Sequence, residues 1–290
     1  FSEELLSTVK QSDWRDICRF QASATEEDLF SNRWCEIGDK KASPSFLLIG
    51  DSHALAALET LDNAGVETGK SGLFLFRSGC PPLINVYTNR GADSGKKCKK
   101  MNDEAYLIIK KNIIDTVFLV SLWTYYVQGN AQNYTQLIYD KDKDYTLVRS
   151  ILVFNGQMKE IFNLYDEAVA TFVILIQVPH QIQHPLDVYR NVMSRTLIDK
   201  GIENINVLNA MSVSRELHIQ TQHLANQVII EAQLKNPGVV ILDPANVFCE
   251  NNFSIGNMSA SYYFDRDHLL SIGFSKSKKN SRKLITGMNS

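Results

Sequence analysis

The sequence lacks several features that would place a protein in a class at once. Its 290 residues contain no run of about 18 apolar residues, the length that a membrane-spanning helix needs. Its formal net charge is only −2, so no excess of positive charge draws it towards nucleic acid or an anionic membrane. It has no internal repeat and no low-complexity segment. What remains is a globular protein, because a hydrophobic fraction of 44% is typical of a packed core.

Cysteine is scarce, and the five cysteines include no Cys-x-x-Cys pair of the kind that binds zinc, so we predict no metal site. Cys18 with Cys35, and Cys80 with Cys98, are close enough to close modest loops. Each such disulfide would stabilise the fold by about 3 kcal/mol. Cys249 is then left over. We favour disulfides in an oxidising compartment over the alternative of reduced, buried thiols.

Short apolar runs alternate with helical patterns along the chain. The runs that suit buried strands lie at 46–49, 72–77, 116–123, 171–176 and 239–244. Helical spacing lies between them, with long helices at about 146–169, interrupted near 155–156, and at 213–234. Apolar strands that alternate with helices form parallel sheets covered on both faces. We therefore predict an α/β fold with a five-stranded, mainly parallel sheet.

The first part of the chain differs from the rest in composition. Residues 1–43 are polar and mixed, without the periodicity of strands. We interpret them as an irregular or helical extension that packs on a main domain at 44–290. Ser43-Pro44-Ser45 separates this extension from the first strand.

The stretch Ile49-Gly50-Asp51-Ser52-His53 joins the first predicted strand to a helix rich in Ala and Leu. A strand that turns directly into a helix exposes its turn residue and aims unpaired N–H groups at the carboxyl edge of the sheet. Ser52 therefore stands where a nucleophile belongs, and its own N–H can stabilise an oxyanion. The alternative is that Ser52 merely caps the helix.

A serine is a poor nucleophile unless a base takes its proton, and the chain has six histidines. Only His268 has a carboxylate at a useful offset, because Asp265 precedes it by three residues. Asp265 would hold the tautomer of His268 while the other ring nitrogen faces Ser52. His53 is expected to point away from the site, in a supporting role. The alternative for Asp265 or Asp267 is to cap the last helix.

These two blocks resemble the first and last sequence blocks of the SGNH/GDSL hydrolase superfamily. The likeness is greatest to the SGNH domains fused to acyltransferase-3 membrane proteins of bacteria, which include O-antigen O-acetyltransferases. It rests on 48–53, on the Cys80-Pro81-Pro82 turn and on 265–269 before Gly273, and it covers about 45–275. The resemblance implies a three-layer α/β/α sandwich.

The resemblance also implies roles for single residues. Ser52 would be the nucleophile, His268 the base and Asp265 the residue that orients the base. Gly79 lies in the turn where the superfamily has its oxyanion-hole glycine. We therefore expect an oxyanion hole formed by the N–H groups of Ser52 and Gly79.

One superfamily block is missing from this chain. The end of the third predicted strand reads Ser-Leu-Trp-Thr-Tyr at 121–125, where the superfamily has Gly-x-Asn-Asp, whose asparagine is a further oxyanion donor. Loss of such a donor costs about 3–4 kcal/mol of transition-state stabilisation unless another group replaces it. Trp123 and Tyr125 are instead candidates for a platform that stacks on a sugar, with core packing as the alternative for Trp123.

As to function, the resemblance implies an O-acetyltransferase that modifies a bacterial surface polysaccharide such as the O-antigen of lipopolysaccharide. The chain begins at Phe1 rather than Met, which we interpret as a fragment: the periplasmic domain of an inner-membrane protein with an acyltransferase-3 membrane domain. No cofactor is expected to bind, and the acetyl group would come ultimately from acetyl-CoA through that membrane domain. Two alternatives remain open, a carbohydrate acetyl esterase and a glycan-binding module without activity.

Overall fold

The structure is a computed structural model that describes residues 35–111, 114–129, 138–141, 146–166, 171–194, 201–248, 253–257 and 260–275. The strands in these residues are Cys35–Gly38 (β1), Pro44–Gly50 (β2), Ser71–Phe76 (β3), Tyr87–Thr88 (β4), Thr116–Val120 (β5), Ile138–Tyr139 (β6), Thr171–Leu175 (β7) and Val239–Leu242 (β8). The helices are Ser52–Thr68 (α1), Ala92–Lys110 (α2), Trp123–Val127 (α3), Leu147–Asp166 (α4), Pro185–Ser194 (α5), Gly201–Ala210 (α6), Arg215–Gln233 (α7), Ala245–Phe248 (α8) and Ser271–Ser275 (α9). None of these helices combines the length and the hydropathy that a bilayer crossing requires.

The central sheet contains six of the described strands, in the order β1-β3-β2-β5-β7-β8. The five strands from β3 to β8 in this order are parallel, and β1 pairs antiparallel with β3 at the edge. The predicted mainly parallel α/β sheet is therefore confirmed, with β1 as a sixth strand. The irregular or helical interpretation is wrong at residues 35–38, because a strand of four residues is too short for its periodicity to stand out. The division of the chain at residue 44 stays a prediction.

Side chains that alternate along β2 divide the core between the two faces of the sheet. Leu47 and Ile49 belong to a cluster with apolar residues of α2, α4 and α7. Phe46 and Leu48 belong to a second cluster, with alanines and leucines of α1. Helix α9 packs against α1 on this second face. Since successive side chains of a strand point to opposite faces, this division makes three layers, α/β/α.

The in-register strands end together at one edge of the sheet. Gly50, the last residue of β2, is paired with Phe76 of β3 and with Val120 of β5. A Cβ at Gly50 would stand 1.7 Å from the carbonyl oxygen of Val120, so no larger residue fits there. The segments that follow β2, β3 and β5 therefore start side by side.

The structure differs from the predicted elements in two places. Helix α4 runs through Asn155 and Gly156 without interruption, because Phe154 and Met158 on either side are fully buried and hold it. A glycine inside a helix costs only about 1 kcal/mol, which this packing exceeds. The third strand, predicted at 116–123, ends at Val120, and Trp123 begins the short helix α3.

Cys80 and Cys98 form a buried disulfide, which ties the segment after β3 to helix α2. The predicted pairing of Cys18 with Cys35 cannot be followed, since Cys18 lies outside the described residues. Cys249 also lies outside them.

Candidate active site

Ser52 begins helix α1 at the carboxyl edge of the sheet, and the loop before α9 meets it there. The Oγ of Ser52 is 2.7 Å from Nε2 of His268, although 216 positions separate them in the chain. Nδ1 of His268 is 2.9 Å and 3.0 Å from the two carboxylate oxygens of Asp265. The structure thus brings together the three residues singled out in the sequence. In this order, a hydroxyl, an imidazole and a carboxylate can pass the hydroxyl proton to the imidazole.

Asp51, and not Ser52, is the cap of helix α1. Its Oδ1 accepts a hydrogen bond of 2.8 Å from the backbone N–H of His53. This acceptor satisfies one of the free donors at the helix start, which is the role of an N-cap residue. The capping alternative is therefore wrong for Ser52, and the Ser52 hydroxyl contacts His268 instead.

The carboxylate of Asp51 is fully buried and joins the turn after β2 to the turn after β5. Its Oδ2 accepts hydrogen bonds from the hydroxyls of Ser121 (2.8 Å) and Tyr126 (2.7 Å) and from the N–H of Leu122 (3.0 Å). Burial alone would raise the pKa of Asp51, but nearby His53 and the hydrogen bonds lower it to about 2. Asp51 therefore stays ionised, and it fixes the backbone on which Ser52 sits.

A second carboxylate contacts the same nitrogen of His268. Oδ1 of Asp267 lies 2.9 Å from Nδ1 of His268. The Asp267 side chain is 17% exposed, against 33% for Asp265. Burial alone would lower the pKa of His268, but its contacts with the two carboxylates outweigh burial and raise it. Both carboxylates therefore strengthen His268 as a base.

Asp265 has a further role that Asp267 lacks. Its Oδ1 accepts hydrogen bonds from the backbone N–H groups of Asp267 (3.1 Å) and His268 (2.8 Å). It therefore holds the turn that presents His268, in the manner of an Asx turn.

His53 lies against His268, so the expectation that it points away from the site is wrong. The two ring centroids are 4.3 Å apart, at an interplanar angle of 32°. His53 is buried, and its Nδ1 lies 3.3 Å from Oδ1 of Asp51, an ion-pair distance without hydrogen-bond geometry. The cause is tertiary, since the 265–268 turn folds over the first turn of α1.

His53, Asp267 and His268 hold nitrogen and oxygen atoms within 4.8 Å of one another, and these are donor types that bind zinc. However, Nε2 of His268 already contacts Ser52, and Nδ1 contacts the carboxylates. A metal ion here would compete with the contacts that make His268 a base.

Ser52 and His268 open into a cleft with a volume of about 480 Å³. Other residues that line it are Ser78, Gly79, Arg90, Tyr125, His180 and Thr221. Arg90 is the one arginine or lysine among the described lining residues. A cleft of this size accommodates a sugar ring with its acetyl group, and it remains open to water.

The backbone N–H groups of Ser52 and Gly79 are available to an oxyanion. Gly79 has a φ of +67° and lies in a turn closed by the Cys80 N–H, which donates to the Arg77 carbonyl at 3.0 Å. Within the described residues, the N–H groups of Gly79 and Ser52 have no hydrogen-bond partner. Unpaired N–H groups at a helix start and a tight turn are the usual components of an oxyanion hole.

Three residues at the place of the missing Gly-x-Asn-Asp block, Ser121, Leu122 and Thr124, direct the donors described next to protein groups rather than into the cleft. Ser121 and Leu122, which follow β5 there, both donate to Asp51 rather than into the cleft. The N–H and hydroxyl of Thr124 donate to the side-chain oxygen of Gln177. These donors are therefore already satisfied by protein groups.

Trp123 is part of the core, so its predicted role in a sugar platform is wrong. Its exposure is 0%, and its Nε1–H donates to the carbonyl oxygen of Leu175 at 2.8 Å. Phe154 packs against it with ring centroids 6.2 Å apart. Tyr125 is half-buried and lines the cleft, so it stays a candidate for sugar contact.

Sequence reasoning missed several residues of the site. Asp267 had a signal, since it lies in the same Asp-Arg-Asp-His run as Asp265. His180 has no carboxylate at a useful offset in the sequence, yet it lines the cleft with Nδ1 4.0 Å from Oδ2 of Asp267. Arg90 lies in no motif, and only the folded chain brings it to the cleft.

Comparisons with known proteins identify the family of this chain and proteins that share its fold. The family model described as "SGNH domain (fused to AT3 domains)" matches residues 17–274. A search of curated protein sequences gives no match.

Among solved structures, the chain is similar to the periplasmic domain of a lipopolysaccharide acetyltransferase from Salmonella ser. Paratyphi A. The TM-score is 0.58 at 14% sequence identity, over 92% of this chain and 94% of that one. An acetyl-xylooligosaccharide esterase from Geobacillus matches with a TM-score of 0.39 at 14% identity, over 86% and 95% of the two chains. At 14% identity the first match shows a shared fold, whereas the TM-score of the second is too low to show one.

Proposed function

The chain belongs to the family of SGNH domains fused to AT3 domains, and on this premise we propose that it is an O-acetyltransferase. Its substrate would be a hydroxyl group on a bacterial surface polysaccharide, and acetyl would pass through a covalent ester on Ser52. The observation that carries the proposal is the 2.7 Å contact between Ser52 Oγ and His268 Nε2 at the base of an open cleft. The acetyltransferase domain with the same fold supports it.

In the first half of the reaction, Ser52 Oγ attacks the carbonyl carbon of an acetyl donor while Nε2 of His268 takes the hydroxyl proton. The carbonyl oxygen becomes an oxyanion, which the N–H groups of Ser52 and Gly79 stabilise. The bond to the leaving group then breaks, and His268 returns the proton to that group. The result is acetyl-Ser52 and a neutral His268.

In the second half, the sugar hydroxyl replaces the leaving group. His268 takes the proton of that hydroxyl as its oxygen attacks the acetyl carbon of acetyl-Ser52. The same two N–H groups donate hydrogen bonds to the second oxyanion. When it collapses, Ser52 Oγ leaves and recovers its proton from His268, so that the enzyme is restored and the sugar carries the acetyl ester.

The same proposal places the chain in the periplasm, beside an AT3 membrane domain of the full-length protein. That domain would deliver an acetyl group drawn ultimately from acetyl-CoA. The fusion recorded in the family description and the periplasmic domain of the similar structure support this arrangement.

An acetyl esterase is the second candidate, because water can reach the site. His268 and Asp265 remain 23% and 33% exposed at the side chain, and the cleft is open. Water in place of a sugar hydroxyl would hydrolyse acetyl-Ser52 by the same steps. A glycan-binding module without activity has less support, since binding alone gives no reason for a serine hydroxyl and an imidazole in contact.

The test uses bacteria that express the full-length protein, with the acetyl content of their surface polysaccharide as the readout. Ser52→Ala is expected to abolish acetylation. The matched control is Ser45→Ala, at the opposite end of strand β2, where the hydroxyl makes only a 3.4 Å contact with the Ser71 carbonyl. Acetylation that persists in Ser52→Ala would overturn the proposal.

Purified protein separates the transferase from the esterase. It is incubated with para-nitrophenyl acetate and with oligosaccharide released from the same polysaccharide. Acetylated oligosaccharide that forms with the wild-type protein and not with Ser52→Ala supports transfer. Free acetate alone, formed at an unchanged rate when oligosaccharide is added, identifies an esterase.

A further inference from the structure

The site lacks the asparagine donor of related enzymes, and two backbone N–H groups remain for the oxyanion. Of these, the Ser52 N–H is fixed by helix α1, whereas the Gly79 N–H belongs to a tight turn. What holds this turn in a productive conformation therefore matters more here than in a site with three donors. The Arg90 side chain contacts this turn. Its Nη1 donates to the Ser78 carbonyl at 2.8 Å and lies 3.4 Å from the Ser78 hydroxyl.

The turn at 77–80 has two accessible forms. The hydrogen bond from the Cys80 N–H to the Arg77 carbonyl, with φ of +67° at Gly79, identifies it as a type II turn. In a type I turn the Ser78–Gly79 peptide is turned over, while the closing hydrogen bond is kept. Glycine adopts either conformation at little cost. The Gly79 N–H would point in the opposite direction in the type I form.

Arg90 recognises only one of these forms. In a trans peptide the carbonyl and the following N–H point in opposite directions. Because the Ser78 carbonyl points to Arg90, the Gly79 N–H points away from the guanidinium, and its assigned role requires that this side of the turn face the oxyanion beside Ser52. A turned-over peptide would present an N–H to the guanidinium, which has no acceptor.

We propose that Arg90 is a positioning residue that holds the Ser78–Gly79 peptide in the form whose Gly79 N–H faces the oxyanion. This inference rests on the proposed function, since it assigns a task to Arg90 in the same acyl-transfer site. The Arg90–Ser78 contact holds one side of this turn. On the other side the Cys80–Cys98 disulfide joins the residue after Gly79 to helix α2, and the Asn102 side chain of that helix donates to the Pro81 and Leu83 carbonyls. Arg90 lies two residues before that helix, so the turn is anchored to it on both sides.

The test measures hydrolysis of para-nitrophenyl acetate by full-length chain carrying Arg90→Gln. The substrate is small and neutral, so it offers Arg90 no anionic group to bind. We expect kcat to fall roughly ten- to a hundredfold, with KM unchanged, since loss of a whole oxyanion donor costs about 10²–10³-fold. Binding of a reversible boronic acid, which mimics the tetrahedral intermediate, should weaken by a similar factor. Arg90→Lys should restore most of the activity, since lysine, unlike the shorter and neutral glutamine, keeps a long side chain with a charged donor for the Ser78 carbonyl.

A double variant tests whether Arg90 acts through the turn. Gly79→Ala strains the left-handed conformation and shifts the turn away from type II, so it should also lower kcat. If the two residues act by one route, Arg90→Gln in a Gly79→Ala background should lower kcat little further. If the losses in kcat of the two single variants multiply in the double variant, the proposal is overturned.

Controls separate this inference from the proposed function. Arg190→Gln removes an exposed arginine of α5 that is not among the described residues lining the cleft, and it should leave kcat unchanged. If Ser52→Ala is inactive but Arg90→Gln has the same kcat as Arg190→Gln, only the role of Arg90 is refuted. A rise in KM for the oligosaccharide with normal ester hydrolysis would show that Arg90 binds the acceptor, and would also refute it. Full activity of Ser52→Ala would refute the proposed function itself.

Discussion

Because two carboxylates contact the same imidazole nitrogen, we expect that neither carboxylate alone is indispensable for activity. Asp265 and Asp267 each place an oxygen 2.9 Å from Nδ1 of His268. Replacement of either one by asparagine leaves the other to orient the ring and to stabilise its protonated form. In sites with a single carboxylate, such a replacement lowers kcat by about 10⁴-fold.

The expected magnitudes follow from this sharing. Asp265→Asn and Asp267→Asn should each lower kcat by about tenfold, and the double variant by about 10⁴-fold, which exceeds the product of the single effects. Asp265→Ala should also destabilise the protein by about 1 kcal/mol more than Asp267→Ala does, because Oδ1 of Asp265 accepts two backbone N–H groups that alanine leaves unpaired.

The pH dependence of kcat/KM gives an independent readout. His268 acts as a base only when neutral, so activity is lost as the pH falls through its pKa. The carboxylates raise that pKa, and removal of one should lower it. The acid limb should therefore move to lower pH, by about one pH unit for partly exposed groups. The shift should be larger for Asp267, which is the less exposed of the two.

The matched control is Asp187→Asn, which removes the same charge beside another histidine. Asp187 lies 3.8 Å from Nδ1 of His184, at an exposed position of α5. It should change neither kcat nor the acid limb. If Asp265→Asn alone costs about 10⁴-fold while Asp267→Asn matches this control, the idea of shared carboxylates is wrong.

Three further predictions concern the support of the site. Asp51 has a pKa of about 2 in the folded protein, against an ordinary value of 3.8. Its ionised form should therefore stabilise the protein by about 2 kcal/mol above pH 4, and this stabilisation should be lost as the pH falls towards 2. Urea unfolding of Asp51→Asn and of the wild type across this pH range measures the difference. Replacing Cys80 and Cys98 by serine should cost about 3 kcal/mol in the same assay and lower kcat with it. Trp123→Ala should cost about 3–5 kcal/mol, whereas Tyr125→Ala, at a half-buried position, should cost less stability and raise KM for the oligosaccharide.

The parts of the fold and site that the sequence revealed are those with local signals. Apolar runs mark the five parallel strands, because a strand covered on both faces has no polar side. Asp265 and His268 are three residues apart, and Ser52 follows a strand directly. Each of these patterns is complete within a dozen residues, so it can be recognised before the chain folds.

The parts that were missed depend on contacts between distant segments. Arg90 reaches Ser78 because the chain between them folds back, helped by the disulfide to α2. His53 faces His268 because a turn more than 200 positions away covers it. Trp123 follows an apolar strand and precedes a polar stretch, so the sequence alone did not show that its ring enters the core.

Acetylation of Ser52 is the most direct test of the account. The chain is exposed briefly to para-nitrophenyl acetate, quenched in acid and digested, and its peptides are weighed by mass spectrometry. The account predicts the mass of one acetyl group on the peptide that contains Ser52, absent from Ser52→Ala and strongly reduced in His268→Ala. An unmodified Ser52 peptide during steady turnover, or the acetyl group on another residue, would contradict it.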